Sequence, residues 1–232
     1  ELTGGIDVQE TSVYWVIRAW GEHWTSQLVA RGQEVDLWRA DEIMNLNYEK
    51  RDGTKLTPSL VLVDSGDQTD MVYNFCADTS DYTLPSKGAS KKLETDYKFS
   101  TINKPGSKAT GTNLVIVDTA KYKDRIAARM RRQNGTGSWM VFQGIDDEYA
   151  AQVTSEHKIN ERQANGVPVQ KWVLKNSHGA NHYLDAEVYA MAAADIRGAR
   201  TWHLEKYEPP KKQEKPSEEE QWITENELKG WV

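Results

Sequence analysis

Residues 3 to 9, Thr3-Gly4-Gly5-Ile6-Asp7-Val8-Gln9, and residues 13 to 20, Val13-Tyr14-Trp15-Val16-Ile17-Arg18-Ala19-Trp20, decide how the chain is read. Both are rich in β-branched and aromatic residues, and polar Gln9-Glu10-Thr11 lies at the turn between them, so they read as a β-hairpin. Asp7 does not fit that pattern. Aspartate is a poor strand former and is rarely buried unless paired. It either marks a bend or is there to hold something positive.

Working outward, residues 24–31 read as a third strand and residues 36–50 as a helix. Residues 59–66, Ser-Leu-Val-Leu-Val-Asp-Ser-Gly, are an apolar run ended by a turn signal, the mark of a buried strand. Residues 68–78 read as helix and 82–87 as strand. Residues 88–112 are rich in Ser, Lys, Thr and Gly and read as a long irregular excursion. Then come a strand at 113–118, a basic helix at 119–133, a strand at 139–143, a helix at 146–157, a strand at 170–175 and an Ala-rich helix at 181–197. Strands come first, and strand and helix then alternate. That order predicts an α/β fold, a mixed β-sheet flanked by helices.

Composition narrows the function. One cysteine, Cys76, excludes a disulfide framework and a cysteine-based zinc site. No apolar run approaches the roughly 20 residues that span a bilayer, and no signal peptide is visible. A net charge of −6 argues against a stand-alone, high-affinity nucleic-acid binder. It leaves open an enzyme that other domains hold against DNA, and an acidic metal site would itself contribute negative charge. The nearest approach to a P-loop, Gly106-Ser-Lys-Ala-Thr-Gly111-Thr-Asn, lacks the Lys after its second Gly, so an ATPase is not expected in this segment. The chain opens at Glu1 in strand context and reads as a piece of a longer protein. After about residue 205 the composition shifts to Pro, Lys and Glu, and residues 206–232 read as a flexible tail. That tail ends in Trp222, Ile223, Leu228 and Trp231, which read either as a docking peptide or as a strap on the domain.

Three aspartates have distinctive local contexts. Asp7 is in mid-strand. Asp64 ends the buried strand, where ligands of α/β sheets gather, although a lone Asp there is more often a turn residue. Asp185 lies in the first turns of the Ala-rich helix, where the helix dipole alone would favour an acid. Together, a strand Asp, a neighbouring strand-end Asp and a helix Asp suit a pair of hard cations, magnesium or manganese.

With these residues in view, the chain resembles the nuclease domain of phage terminase large subunits of the lambda-like group. The resemblance rests on Gly4-Gly5-Ile6-Asp7-Val8-Gln9, Val63-Asp64-Ser65-Gly66, Lys87-Gly88-Ala89, Asp118-Thr119-Ala120-Lys121, Gln152-Val153-Thr154-Ser155-Glu156 and Asn181-His182-Tyr183-Leu184-Asp185, in that order. It implies an RNase H-like fold over residues 1–205 and two-metal endonucleolytic cutting of concatemeric double-stranded DNA during genome packaging. It makes Asp7, Asp64 and Asp185 ligands of two Mg2+ or Mn2+ ions, with Glu156 a further candidate. His182 stands where the family usually has Glu; it is either a fourth metal-facing group or a surface residue capping the helix. Lys87, Lys121, Lys123 and Arg125 are candidate DNA contacts, and His157 is singled out without a role. The implied partners are DNA, a terminase small subunit, an ATPase domain earlier in the same chain, and the portal protein, to which the tail tryptophans would dock. The implied place of action is the host cell cytoplasm, with no membrane. The competing readings are a catalytically inactive packaging adaptor and another RNase H-like nuclease or resolvase.

Overall fold

The computed structural model describes residues 1–162, 166 and 168–202. The chain begins with three antiparallel strands, β1 (Leu2–Val8), β2 (Val13–Trp20) and β3 (Ser26–Glu34), followed by helix α1 (Leu37–Met44) and a small hairpin, β4 (Tyr48–Glu49) and β5 (Lys55–Leu56). Strand β6 (Val61–Asp64), helix α2 (Thr69–Asp78), β7 (Thr83–Gly88), β8 (Tyr97–Thr101), β9 (Asn113–Val117) and α3 (Thr119–Met130) come next. The described part closes with β10 (Trp139–Met140), α4 (Asp147–Val153), the hairpin β11 (Glu156–Arg162) and β12 (Pro168–Leu174), and α5 (His182–Ile196). Asp36, Asp118 and Asp146 each accept a backbone N–H in the first turn of the helix that follows them, which fixes where α1, α3 and α4 start.

Eight strands form one sheet in the order β10-β3-β2-β1-β6-β7-β9-β8. Strands β1, β6, β7 and β9 run parallel, while β2, β3 and β8 provide the antiparallel flanks. This is the expected α/β mixed sheet, and it is consistent with an RNase H-like nuclease.

The question posed by Asp7 is answered by alternation. Leu2, Ile6 and Val8 face one side and pack with Leu37, Met44, Val72 and Phe75 from α1 and α2. The intervening residues Thr3, Gly5 and Asp7 face the other side, against α5. Strand β6 alternates in step. Val61 and Val63 join the first core, whereas Leu62 packs with Val188 and Met191 of α5. The parallel register pairs Gly5 with Leu62 and Ile6 with Val63, so the next residues on the two strands are Asp7 and Asp64. Asp7 is a strand residue on the helix-facing side, not a bend.

Local pattern and structure differ most in three places. The 88–112 excursion contains β8, a short edge strand (Tyr97-Lys98-Phe99-Ser100-Thr101) set among Ser, Lys, Thr and Gly and held by pairing to β9. The helix expected over 146–157 stops at Val153, because Glu156–Arg162 pairs with Pro168–Leu174, a partner outside any local window. The helix expected over 36–50 ends at Met44. The tail over 206–232, with Trp222, Ile223, Leu228 and Trp231, lies outside the described residues.

Helix α5 is buried almost all round and sits on β1, β2 and β6. Its closeness to the sheet depends on Gly5. A methyl group there would lie 2.6 Å from the Ala190 nitrogen and would overlap the Ala186 carbonyl oxygen, both backbone atoms that cannot swing away. Gly5→Ala is therefore expected to destabilise the domain by about 3 kcal/mol, or roughly 10 °C in melting temperature. It should also lower any activity of the site by moving α5. A thermal melt unchanged within error would show that the helix does not rest on this glycine.

Candidate active site

Three strips of α5, each one turn apart along the helix, face three neighbours. Ala186 and Ala190 lie on Gly5 of β1. Tyr183 and Glu187 reach Arg31 of β3 and Arg18 of β2. Asp185 and Tyr189 face Lys123 of α3 and Asp64 of β6. The third strip brings Asp185 to the two strand aspartates.

Each carboxylate is held by a named partner. Asp7 Oδ2 accepts from Gln9 Nε2 at 2.7 Å and from His182 Nδ1 at 2.9 Å, and the His182 ring stacks on Tyr14 with centroids 4.5 Å apart. Asp64 Oδ1 accepts from the Tyr189 hydroxyl at 2.9 Å and from the Gly66 N–H at 3.2 Å. Asp185 Oδ1 lies 2.9 Å from the Lys123 ammonium, and its Oδ2 accepts from Asn181 Nδ2 at 2.8 Å. Asn181 Nδ2 also donates to Glu156 Oε1 at 2.7 Å, which joins Glu156 to the group.

The electrostatics record how close these charges are. Burial pushes the Asp64 carboxyl up to about 6, and the charges of Asp7 and Asp185 push the same way, against the hydrogen bonds from Tyr189 and Gly66. Burial also raises Asp185; Lys123 opposes this, while Asp7 and Glu156 add to it. The hydrogen bond to Asp7 raises His182, against the effect of its burial.

Among the described residues, no group of three or more His, Cys, Asp or Glu side chains is closed around a point as a ready metal site. Each carboxylate is instead turned toward an internal donor. The donor set nevertheless fits a hard divalent cation: carboxylate oxygens that raise one another's proton affinity are relieved when a cation enters.

The other expected residues fall in different places. Lys123, expected as a DNA contact, is only 8% exposed and is paired with Glu156 and Asp185 inside the cluster. Lys121 donates to the carbonyls of Leu93, Glu94 and Thr95, and Arg125 binds Asp96, so both tie the 93–96 loop to α3. Lys87 is exposed at the end of β7, one residue beyond Ser86, which pairs with Asp64. His182 is not a surface cap, because its ring is engaged with Asp7. His157 lines a cleft beside α3. The sequence reading missed Asn181 as a bridge, Tyr189, and Arg18 with Glu187. Only the repeat of polar residues at four-residue spacing along α5 (Asn181, Asp185, Tyr189) could have signalled the first two.

The family of terminase large subunit gpA endonuclease domains matches residues 1–205. The chain belongs to this family. No curated protein and no solved structure matches it. No helix among the described residues is long and apolar enough to cross a membrane.

The raised Asp64 gives a signed pH dependence. Between its ordinary value of 3.8 and about 6 the folded domain keeps a proton that the unfolded chain has lost, so metal-free stability falls as pH rises through that window. Asp64→Asn removes the penalty while keeping an acceptor for Tyr189. In EDTA it should be more stable than the wild type by about 3 kcal/mol at neutral pH and above, with the gain vanishing below about pH 4. Urea melts at the two ends of the range decide this. A variant no more stable than the wild type at the higher pH contradicts it.

Proposed function

We propose that this gpA-type domain cuts concatemeric double-stranded viral DNA during genome packaging, by two-metal hydrolysis of the phosphodiester bond. One observation carries the reading. In a chain of an endonuclease family, Asp7, Asp64 and Asp185 come from two neighbouring parallel strands and the covering helix to one place. Asp7, Asp64 and Asp185 would hold two Mg2+ or Mn2+ ions, with Glu156 beside them; bound metal supplies an activated water and stabilises the leaving oxygen. Among the chain's own residues, Tyr189 orients Asp64, and His182 with Gln9 orients Asp7. Asn181 sets Asp185 against Glu156. Lys87, exposed beside the Asp64 strand end, is the basic residue best placed to meet a phosphate.

The same reading supplies the partners: DNA, a terminase small subunit that sets the cut site, an ATPase domain of the same polypeptide, and a portal reached through Trp222, Ile223, Leu228 and Trp231. Action in the host cell cytoplasm, where replicated viral DNA accumulates, belongs to it as well.

The test is supercoiled-plasmid cleavage in Mn2+, Mg2+ and EDTA. The wild type should cut with metal and not in EDTA. Asp7→Ala, Asp64→Ala and Asp185→Ala should each fall to the EDTA level while keeping the wild-type circular dichroism spectrum. Cutting by Asp64→Ala would overturn the site. A folded wild type that never cuts would favour the packaging adaptor instead.

A further inference from the structure

Lys123 sits where a cation is most needed. Its side chain is 10% exposed, and its ammonium lies 2.7 Å from Glu156 Oε1 and 2.9 Å from Asp185 Oδ1. Burial alone would push this ammonium down, but Asp185 and Glu156 outweigh burial and hold it firmly charged. Glu156 is itself only 6% exposed at its side chain, and its second oxygen, Oε2, is buried with no hydrogen-bond partner. An orphaned carboxylate oxygen inside an acidic group is an open acceptor. Lys123 and Glu156 also line a cleft of about 540 Å³ between α3 and the β11–β12 hairpin, on the side of the pair away from Asp7 and Asp64, which are not among its lining residues.

We propose that Lys123 is the built-in counter-ion of this centre, and that it competes with divalent metal for Asp185 and Glu156. The ammonium makes the metal-free site tolerable by neutralising two buried carboxylates, and the same contact weakens metal loading. The idea rests on the reading of Asp7, Asp64 and Asp185 as a metal site and adds Glu156 and Lys123 to it. A tethered charge of +1 is matched against a free ion of +2, so the exchange depends on metal concentration: at low metal the lysine holds the acids, and at high metal the ion displaces it. A purely structural ion pair predicts a different outcome, since removing it would cost stability with no gain in metal affinity.

The experiment is calorimetric titration of Mn2+ into the full chain, with thermal melts in EDTA and in Mn2+, for the wild type, Lys123→Gln and Lys123→Arg. Lys123→Gln should melt lower than the wild type in EDTA. It should bind Mn2+ about tenfold more tightly and show a larger Mn2+-induced rise in melting temperature. Lys123→Arg, which keeps the charge, should bind Mn2+ as weakly as the wild type. If Lys123→Gln is unfolded in EDTA, Mn2+ should restore its circular dichroism signal; no restoration overturns the proposal. Equal or weaker Mn2+ binding by Lys123→Gln also overturns it. A wild type whose Mn2+ binding is lost in Asp185→Asn, with no gain in Lys123→Gln, removes only the counter-ion role. A wild type that binds no Mn2+ at all removes the metal reading itself.

Discussion

The closeness of α5 to β1 is the constraint on which the rest depends. Gly5 lets the helix backbone touch the strand, and that contact fixes the height of α5 above the sheet. Height alone does not set which residues face the strand ends; rotation does. Rotation is fixed by Arg18 and Glu187, both fully buried and joined by two hydrogen bonds, 2.8 Å from Nε and 2.7 Å from Nη2. Tyr149 donates to Glu187 Oε1 at 2.5 Å, the Met140 carbonyl accepts from Arg18, and the guanidinium lies over the Trp139 ring. Every strong donor and acceptor of the pair is satisfied, the condition under which a buried ion pair is tolerable. Removing either partner leaves an uncompensated charge, so the helix has one acceptable rotation. That rotation also directs Asp185 and Tyr189 away from Arg18, toward Lys123 and Asp64.

Much of this was legible in the sequence, for reasons particular to each residue. Asp7 stood out because a carboxylate in a β-branched run violates strand preference, and Asp64 because an apolar run ended on it. Asp185 was legible only through its position in an Ala-rich helix and through the family resemblance. The hairpin and the parallel strands were visible because their residues are buried and apolar. Strand β11 was not, because an exposed polar strand is defined by its partner and not by its own residues, and β8 is five residues inside a stretch whose Ser, Lys, Thr and Gly content reads as irregular. Asn181, Tyr189 and Arg18 escaped for a similar reason. Nothing in a local window says that a residue of β2 meets one of α5, far away along the chain.

Helix α3 shows how a basic stretch can be used internally. Its Lys121, Lys123 and Arg125 are candidate DNA contacts by the family resemblance. All three instead point inward or sideways: Lys123 to Asp185 and Glu156, Lys121 to the loop carbonyls, Arg125 to Asp96. Arg200 joins Asp96 and Asp195 in the same network, and Tyr122 donates to Asp195. A charge matched by an opposite charge a few ångströms away projects little field beyond a Debye length of about 10 Å. The basic helix is thus nearly neutral toward solvent along this stretch, and the net charge of −6 is not offset by it. Attraction to a polyanion scales with the unpaired cations that can replace its counter-ions. Exposed cations do remain among the described residues, Lys87, Lys91, Lys92, Lys98, Arg131, Arg132 and Lys175 among them, but they are scattered over loops, an edge strand and a helix end. Of the cations of α3, Lys123 is committed to the acidic centre, and Lys121 and Arg125 are committed to the 93–96 loop. A domain arranged this way gains more from being held at its substrate than from finding it.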